Sequence, residues 1–275
     1  MDPITVRQMN FAFPEEMDAV FIPGEPEESY ALVAFSLLLP HLEPYLIRTM
    51  KAAKARLTDP QLIADLGKFN AQEGQHYRQH RRFNEAIRAR GFPGLAKLEE
   101  ELAADYERFT NERPLAFNLA YAEGFEAFTT ATARFALEQR MLDRMPPAAR
   151  DLFAWHLVEE LEHRTVAFDV YEQVSGKYGY RLRIGMFAQW HLLRFVVRAS
   201  RYMFEADPGL LARYGGEKAH ERRMERLNGL FVKHLLPKAV ATYAPWYTPH
   251  RIEMPEEARS LARRYSEMAT SVVER

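Results

Sequence analysis

Three residues near the middle of the chain have the types and the spacing of metal ligands. His156, Glu160 and His163 occupy positions i, i+4 and i+7 of a predicted helix. Because an α-helix turns about 100° per residue, their side chains fall within a sector of roughly 60°. Two imidazoles and one carboxylate would therefore converge on one point. A single helix of this kind supports no catalysis, so the remaining ligands must come from other helices.

The chain contains two Glu-x-x-His motifs, Glu73-x-x-His76 and Glu160-x-x-His163. One such motif is weak, since Glu and His are common on helix surfaces. Carboxylate-bridged dimetal sites in helical bundles combine two of them with one glutamate from each of two other helices. The chain supplies that set in the order Glu, E-x-x-H, Glu, E-x-x-H. The predicted ligands in this pattern are Glu43, Glu73, His76, Glu126, Glu160 and His163.

Several neighbours of these residues compete with them or could support them. Glu123 lies one turn before Glu126 on a similar face and is the alternative ligand from that helix. His80 aligns with Glu73, and we expect it to contact a ligand or line a pocket. Three further carboxylates either orient ligand histidines through the distal N–H or are surface charges. They are Glu159, Glu162 and Asp169.

The ligand types restrict the metal. Four carboxylates and two imidazoles suit a pair of Fe²⁺, Mn²⁺ or mixed ions, whereas all-oxygen sets suit Mg²⁺ and Ca²⁺. Four negative charges nearly balance two divalent cations. The chain has no cysteine, which excludes disulfides, thiolate zinc sites, iron–sulfur clusters and cysteine nucleophiles.

Helical periodicity dominates the chain, and no alternating strand pattern appears, so we predict an all-α fold. Pro40 and Pro44 interrupt the first helix, and we expect either a bend at Glu43 or a new helix that begins there. Longer helices are predicted over 27–57, 60–90, 113–143, 146–175, 181–204, 218–240 and 256–274, with a shorter one within 92–112 and a non-helical crossover at 244–249.

Residues 36–180 resemble the bacterial proteins described as predicted metal-dependent hydrolases of the ferritin-like superfamily. The resemblance implies a single ferritin-like domain over 1–275, a four-helix bundle of about 27–176 with extra C-terminal helices over about 181–275. The matching segments are Leu39-Pro40 through Glu43, Phe69-x-x-Gln72-Glu73-x-x-His76-x-x-x-His80, Glu126-x-Phe128-Thr129, Trp155-His156-x-x-Glu159-Glu160-x-Glu162-His163 and Ala167-Phe168-Asp169-x-Tyr171. The chain departs from the expected pattern at Leu42 and Pro44, which flank Glu43.

The run of His156, Glu160 and His163 also resembles the fourth helix of di-iron arylamine N-oxygenases. That resemblance implies His156 as a seventh ligand and a site suited to binding O₂ between two reduced irons. We therefore expect a non-haem di-iron oxidase or oxygenase that acts on a small organic substrate. Its electrons would come from an external donor, since the sequence has no flavin or nicotinamide motif.

Two alternatives belong to other functional classes. A metal-dependent hydrolase would use a hydroxide that bridges the two metals as its nucleophile. A non-enzymatic metal-binding or storage protein is less favoured, because about 100 residues lie beyond the four-helix core. Those extra helices are better explained as a pocket lid or a dimer surface.

The composition is that of an ordinary globular protein, with 47% hydrophobic and 27% charged residues and a formal net charge of −1. It gives no electrostatic reason to expect nucleic acid as a partner. We expect residues 184–204 to be the most apolar run of the chain. This run contains arginines, and their transfer into a bilayer costs too much free energy for a membrane span. We predict a cytoplasmic protein, and the apolar helix over 181–204 suggests a homodimer.

Overall fold

The computed structural model describes residues 3–15, 17–89 and 91–273. Within these ranges the chain forms helices and no strand, which confirms the all-α prediction. The predicted helix ends at Arg90 and Glu274 lie outside the described residues. The helices are α1 (Pro26–Ala53), α2 (Pro60–Arg88), α3 (Leu95–Glu112), α4 (Leu115–Glu138), α5 (Pro147–Glu162), α6 (Val166–Val174), α7 (Tyr178–Ala206), α8 (Leu210–Arg213), α9 (Gly216–Leu230), α10 (Leu236–Ala241) and α11 (Glu256–Val273).

The first helix, α1, continues through both of its prolines, so the prediction that a new helix begins at Glu43 is wrong. Each proline removes one backbone hydrogen bond, which costs about 3 kcal/mol in a helix interior. Burial offsets that cost, because the apolar residues around the prolines are fully enclosed. Leu39 and Leu42 have no exposed surface, and Glu43 between the prolines is also buried. The continuous helix therefore brings Glu43 into the interior.

The predicted helix over 146–175 is two helices, α5 and α6, separated by a turn at 163–165. The Arg164 guanidinium donates to the carbonyl oxygen of Leu161 at the end of α5. That contact satisfies one of the carbonyls that a helix end leaves without an intrahelical partner. His163 therefore lies just beyond the last turn of α5 rather than within a helix.

The C-terminal third also differs in detail from the prediction. The helix expected over 218–240 is divided into α9, a π-helical turn at Phe231–Leu235 and α10. The predicted crossover is non-helical from 244 to 248, and a short 3₁₀ turn begins at Pro249. The helix over 181–204 is present as the slightly longer α7.

The helices pack around one continuous apolar core that reaches from Ile4 to Tyr265. α1 packs against α2, α3, α4 and α7, and α4 packs against α5, α6 and α7. α4 and α7 approach so closely that a Cβ atom added at Gly124 would lie 2.3 Å from the Cα of Gly185. The assignment as one ferritin-like domain stays a prediction.

The segment Pro26–Arg56 is the candidate membrane span among the described residues, with a mean hydropathy of 1.4. The expectation that 184–204 is the most apolar run is therefore wrong. Length and hydropathy alone are weak support for a span, since buried core helices pass the same test. Here α1 packs between other helices and buries Glu43, which is the position of a core helix. The cytoplasmic location stays a prediction.

Candidate metal centre

The structure brings all seven predicted ligands together in the interior, and none is more than 2% exposed. α1 contributes one of them, α2 two, α4 one, and α5 with the turn after it three. Their order along the helices is the order expected from the sequence. The side chains are those of Glu43, Glu73, His76, Glu126, His156, Glu160 and His163.

Their potential ligand atoms form three groups in which all atoms lie within 4.8 Å of one another. The group of Glu43, His76 and His156 and the group of Glu73, Glu126 and His163 have no residue in common, so each could hold one ion. The carboxylate of Glu160 lies between them, with Oε1 3.2 Å from His156 Nε2 and 3.5 Å from His163 Nε2. The three groups are Glu43, His76 and His156; Glu73, Glu126 and His163; and Glu73, His76 and Glu160.

Most of the inward-facing atoms have no hydrogen-bond partner among the described residues. Buried polar atoms almost always have one, because an unpaired buried carboxylate oxygen is energetically costly. Two divalent cations would satisfy the whole set at once, so the residues fit a dimetal site. The unpaired atoms are both carboxylate oxygens of Glu43 and of Glu126, Glu73 Oε1, Glu160 Oε2, His76 Nδ1 and His163 Nε2.

The electrostatics of the cluster agree with a site built for cations. Burial, followed by repulsion from Glu73 and Glu160, holds the pKa of Glu43 well above its usual range. Burial and the charge of Glu160 raise the pKa of Glu126 to about 8. Burial acts in the same direction on Glu160, but His163 and His156 lower its pKa well below the usual value. Without cations, some of these carboxylates must therefore carry protons.

The histidine of the first motif, His76, is oriented by a buried carboxylate. Its Nε2 lies 3.0 Å from Glu159 Oε2, so donation to Glu159 directs the Nδ1 lone pair toward Glu73 and Glu160. Glu159 also accepts from the indole N–H of Trp155 at 2.9 Å. This is the outer contact that fixes the tautomer of a metal-binding histidine.

The histidine of the second motif, His163, is oriented by an amide. Its Nδ1 lies 2.9 Å from Gln72 Oε1, which leaves Nε2 facing Glu126 at 3.3 Å. The amide nitrogen of Gln72 in turn donates to Glu162 Oε2 at 2.9 Å. Glu162 therefore supports His163 through Gln72.

Arg7 from the N-terminal segment joins these two outer carboxylates. Its guanidinium donates to Glu162 at 2.6 and 3.0 Å and to Glu159 at 3.1 Å, and the residue is 3% exposed. Arg7 is absent from the residues expected at the site. The described residues between 3 and 25 form no helix, and no local pattern indicates a partner more than 150 positions away.

His156 is oriented by a third route, a chain of hydrogen bonds that runs away from the cluster. His156 Nδ1 lies 3.0 Å from His80 Nε2, and His80 Nδ1 lies 2.8 Å from Ser36 Oγ. Ser36 donates to Asn84 Oδ1 at 2.6 Å, so its oxygen accepts from His80. His80 must then accept from His156, which leaves His156 Nε2 free to face Glu160.

Two of the neighbouring carboxylates, Glu123 and Asp169, lie outside the cluster. Glu123 is ion-paired with Arg181 at 2.8 Å and belongs to none of the three groups, whereas Glu126 belongs to one. Burial raises the pKa of Glu123 to about 7 despite that pairing. Asp169 is bonded to His250 at 2.7 Å and orients no ligand histidine.

The fold and the site define a helical-bundle protein with a buried His/Glu cluster that fits two metal ions. Residues 5–253 match a family model described as predicted metal-dependent hydrolase, and the chain belongs to that family. The match includes all seven cluster residues and Arg7. No curated protein and no solved structure shows a match to the chain. Metal ligation by the seven residues, the ferritin-like assignment and iron as the metal stay predictions.

Proposed function

We propose that this chain is a dimetal enzyme in which the seven clustered residues hold two cations beside a small organic substrate. The observation that carries the proposal is the set of buried, unpartnered carboxylate and imidazole atoms that face one another. The family description supports hydrolysis as the reaction class. Two bound divalent cations acidify coordinated water and polarise a substrate oxygen, which is the chemistry that hydrolysis requires.

The chain's own residues have separate parts in this proposal. One ion would be held by Glu43, His76 and His156. The other would be held by Glu73, Glu126 and His163, and Glu160 lies between the two groups. His80 and Glu159 orient the rings of His156 and His76, so that Nε2 of His156 and Nδ1 of His76 face the cluster. Complete burial of the cluster excludes bulk water, which strengthens each electrostatic contact.

A second candidate is an oxidase or oxygenase that activates O₂, and the ligand types favour it. Three imidazoles and four carboxylates suit iron, or iron with manganese, better than an all-oxygen set would. This candidate requires O₂ and an external electron donor as partners. Simple metal storage explains neither the third histidine nor its chain of outer hydrogen bonds.

The ligand assignment is tested with two matched substitutions on α4, Glu126→Gln and Glu123→Gln. Both replace one buried carboxyl group on α4 by an amide of similar size, but only Glu126 belongs to a ligand group. We expect wild type and the Glu123 variant to bind two ions per chain, measured by plasma mass spectrometry after Mn²⁺ or Fe²⁺ loading. The Glu126 variant should lose at least one. Equal metal content in the two variants would refute the assignment.

The reaction class is tested on the same preparations. Protein loaded with Fe²⁺ without oxygen is exposed to air while O₂ consumption and visible absorption are recorded. A fixed O₂ uptake per site with a transient absorption band supports the oxygenase. Ester or amide hydrolysis by the Zn²⁺ or Mn²⁺ form, without oxygen uptake by the iron form, supports the hydrolase.

A further inference from the structure

A cavity of about 740 Å³, partly open to solvent, lies beside the candidate metal centre and is lined mainly by apolar side chains of α1, α4, α5, α7 and α9. Its volume is typical of sites for organic ligands. The lining residues on α7 run from Leu192 to Phe204, which corresponds to about 18 Å along the axis. Those on α1 run from Glu27 to Phe35, about 12 Å. The cavity is therefore elongated.

The inner end of the cavity adjoins the cluster. The Phe35 side chain lines the cavity and meets the His156 ring edge-on, with 6.4 Å between the ring centroids. Phe153, also in the cavity wall, meets the His80 ring at 5.6 Å. Leu157 completes this end and directly follows His156 in the chain. A ligand that fills the cavity would thus be separated from His156 by one phenyl ring.

The carboxylates in the cavity wall already have partners. Glu28 accepts two hydrogen bonds from Arg144 at 2.7 and 2.8 Å. Glu27 is bonded to His220 at 2.7 Å and to Arg223 at 2.6 Å. Because these charges are neutralised within the protein, recognition by the cavity depends on contact with hydrocarbon.

We propose that this cavity binds the long hydrocarbon chain of the substrate, as in a fatty acid or a fatty acyl ester. The chain lies along α7, and the group to be transformed lies at the inner end beside Phe35 and His156. The position of the reacting group rests on the proposed function, whereas binding of the chain does not. Each added methylene buries more apolar surface and should tighten binding about three- to four-fold until the cavity is filled.

The test uses cis-parinaric acid, whose fluorescence rises when its chain enters an apolar site. Ala31 on α1 lines the cavity, and Ala52 on the same helix is exposed. We expect one probe per chain in wild type, equal binding by Ala52→Phe and at least ten-fold weaker binding by Ala31→Phe, whose ring projects into the cavity and blocks part of it. Melting temperature and metal content of both variants are measured to show that the fold and the cluster are intact.

Competitors identify the source of the chain. Displacement by palmitic acid but not by octanoic acid supports a long chain taken from solution. Displacement by phosphatidylcholine vesicles as well supports a chain taken from a bilayer. The proposal is overturned if neither palmitic acid nor the vesicles displace the probe. It is also overturned if the Ala31 and Ala52 variants bind the probe with equal affinity.

The same measurements on chelator-treated protein separate the two proposals. The cavity wall contains none of the seven candidate ligands, so metal-free protein should still bind the probe. Probe binding in a protein that takes up no metal would refute the dimetal function and keep the chain site. Metal uptake without probe binding would refute the chain site and keep the dimetal function.

Discussion

The three histidines of the cluster differ in what accepts their outer N–H. His76 donates to the carboxylate of Glu159, His163 to the amide of Gln72, and His156 to the imidazole of His80. An anionic acceptor makes an imidazole a stronger donor to metal than a neutral acceptor does. His76 should therefore be the strongest nitrogen ligand and His156 the weakest.

The first prediction concerns His80, which holds the tautomer of His156. His80→Ala removes the acceptor, so Nδ1 of His156 loses its partner and the ring can turn. We expect roughly 10- to 100-fold weaker binding of one of the two ions. Competition with a fluorescent chelator measures this. His41→Ala, a histidine outside the cluster that faces Glu99, is the control. Unchanged affinity in the His80 variant would show that His156 is not held in this way.

The second prediction concerns Arg7, the cation between two buried carboxylates. Arg7→Ala removes the buried cation that pairs with both Glu159 and Glu162. Removal of one partner from a buried ion pair costs about 3–5 kcal/mol, and we expect a loss of that size in the free energy of unfolding. Urea denaturation measures it, with Arg7→Lys as the charge-conserving comparison. A loss below about 1 kcal/mol would contradict the role of Arg7.

Residue positions in the cluster are predictable to different degrees. Motifs within one helix follow from helical periodicity, and the order of four such helices along the sequence indicates the candidate ligand set. Arg7 and Ser36 have no such local signal. Their partners come from distant parts of the chain, and only tertiary packing brings them together.

Element boundaries are predictable where a local signal controls them. Asp59 caps α2 by accepting from the backbone N–H of Gln61 at 2.8 Å, as the Asp-Pro start indicates. The prediction is wrong where long-range packing decides the conformation. Burial keeps α1 helical across Pro40 and Pro44, where local rules predict an interruption.

The third prediction tests the close approach of α4 and α7. A methyl group at Gly124 would meet the backbone of Gly185 at 2.3 Å, whereas one at Gly185 would have its nearest atom at 3.4 Å. We expect Gly124→Ala to lower the free energy of unfolding by about 1–3 kcal/mol or more, because backbone must move. Gly185→Ala should change it by less than about 1 kcal/mol, since alanine favours the helix. Thermal or urea unfolding measures both, and equal effects would contradict the packing argument.

The whole molecule also presents an apolar face to solvent. Met186, Trp190, Leu193 and Val197 are exposed at positions i, i+4, i+7 and i+11 of α7. Spacing of this kind places them on one side of the helix. Leu193 and Val197 also line the open side of the cavity beside Phe35, so the face and the cavity adjoin. The predicted homodimer has its candidate interface here and stays a prediction.

The N-terminal segment and α11 both contact α5, the helix that carries His156 and Glu160 and is followed directly by His163. Arg7 Nε donates to Ser266 of α11 at 3.0 Å while its other nitrogens bind the outer carboxylates. Phe11 packs edge-on against Trp155, with ring centroids 5.5 Å apart. Order at the cluster is thus linked to order in the N-terminal segment and α11.

The last prediction is that metal removal destabilises the entire fold. The clustered carboxylates repel one another without cations, and metal that binds only the folded state at 100 times its dissociation constant adds about 2.7 kcal/mol. For a chain of this size we expect a fall of roughly 5–10 °C in melting temperature after chelation, restored by Mn²⁺ or Fe²⁺. Mg²⁺ should restore less of the melting temperature, because it prefers all-oxygen ligands.

The two α4 variants are the controls for this prediction. Glu126→Gln should lose most of the metal-dependent shift in melting temperature, and Glu123→Gln should keep it. A melting temperature indifferent to Mn²⁺, Fe²⁺ and chelator would contradict a dimetal site in the core.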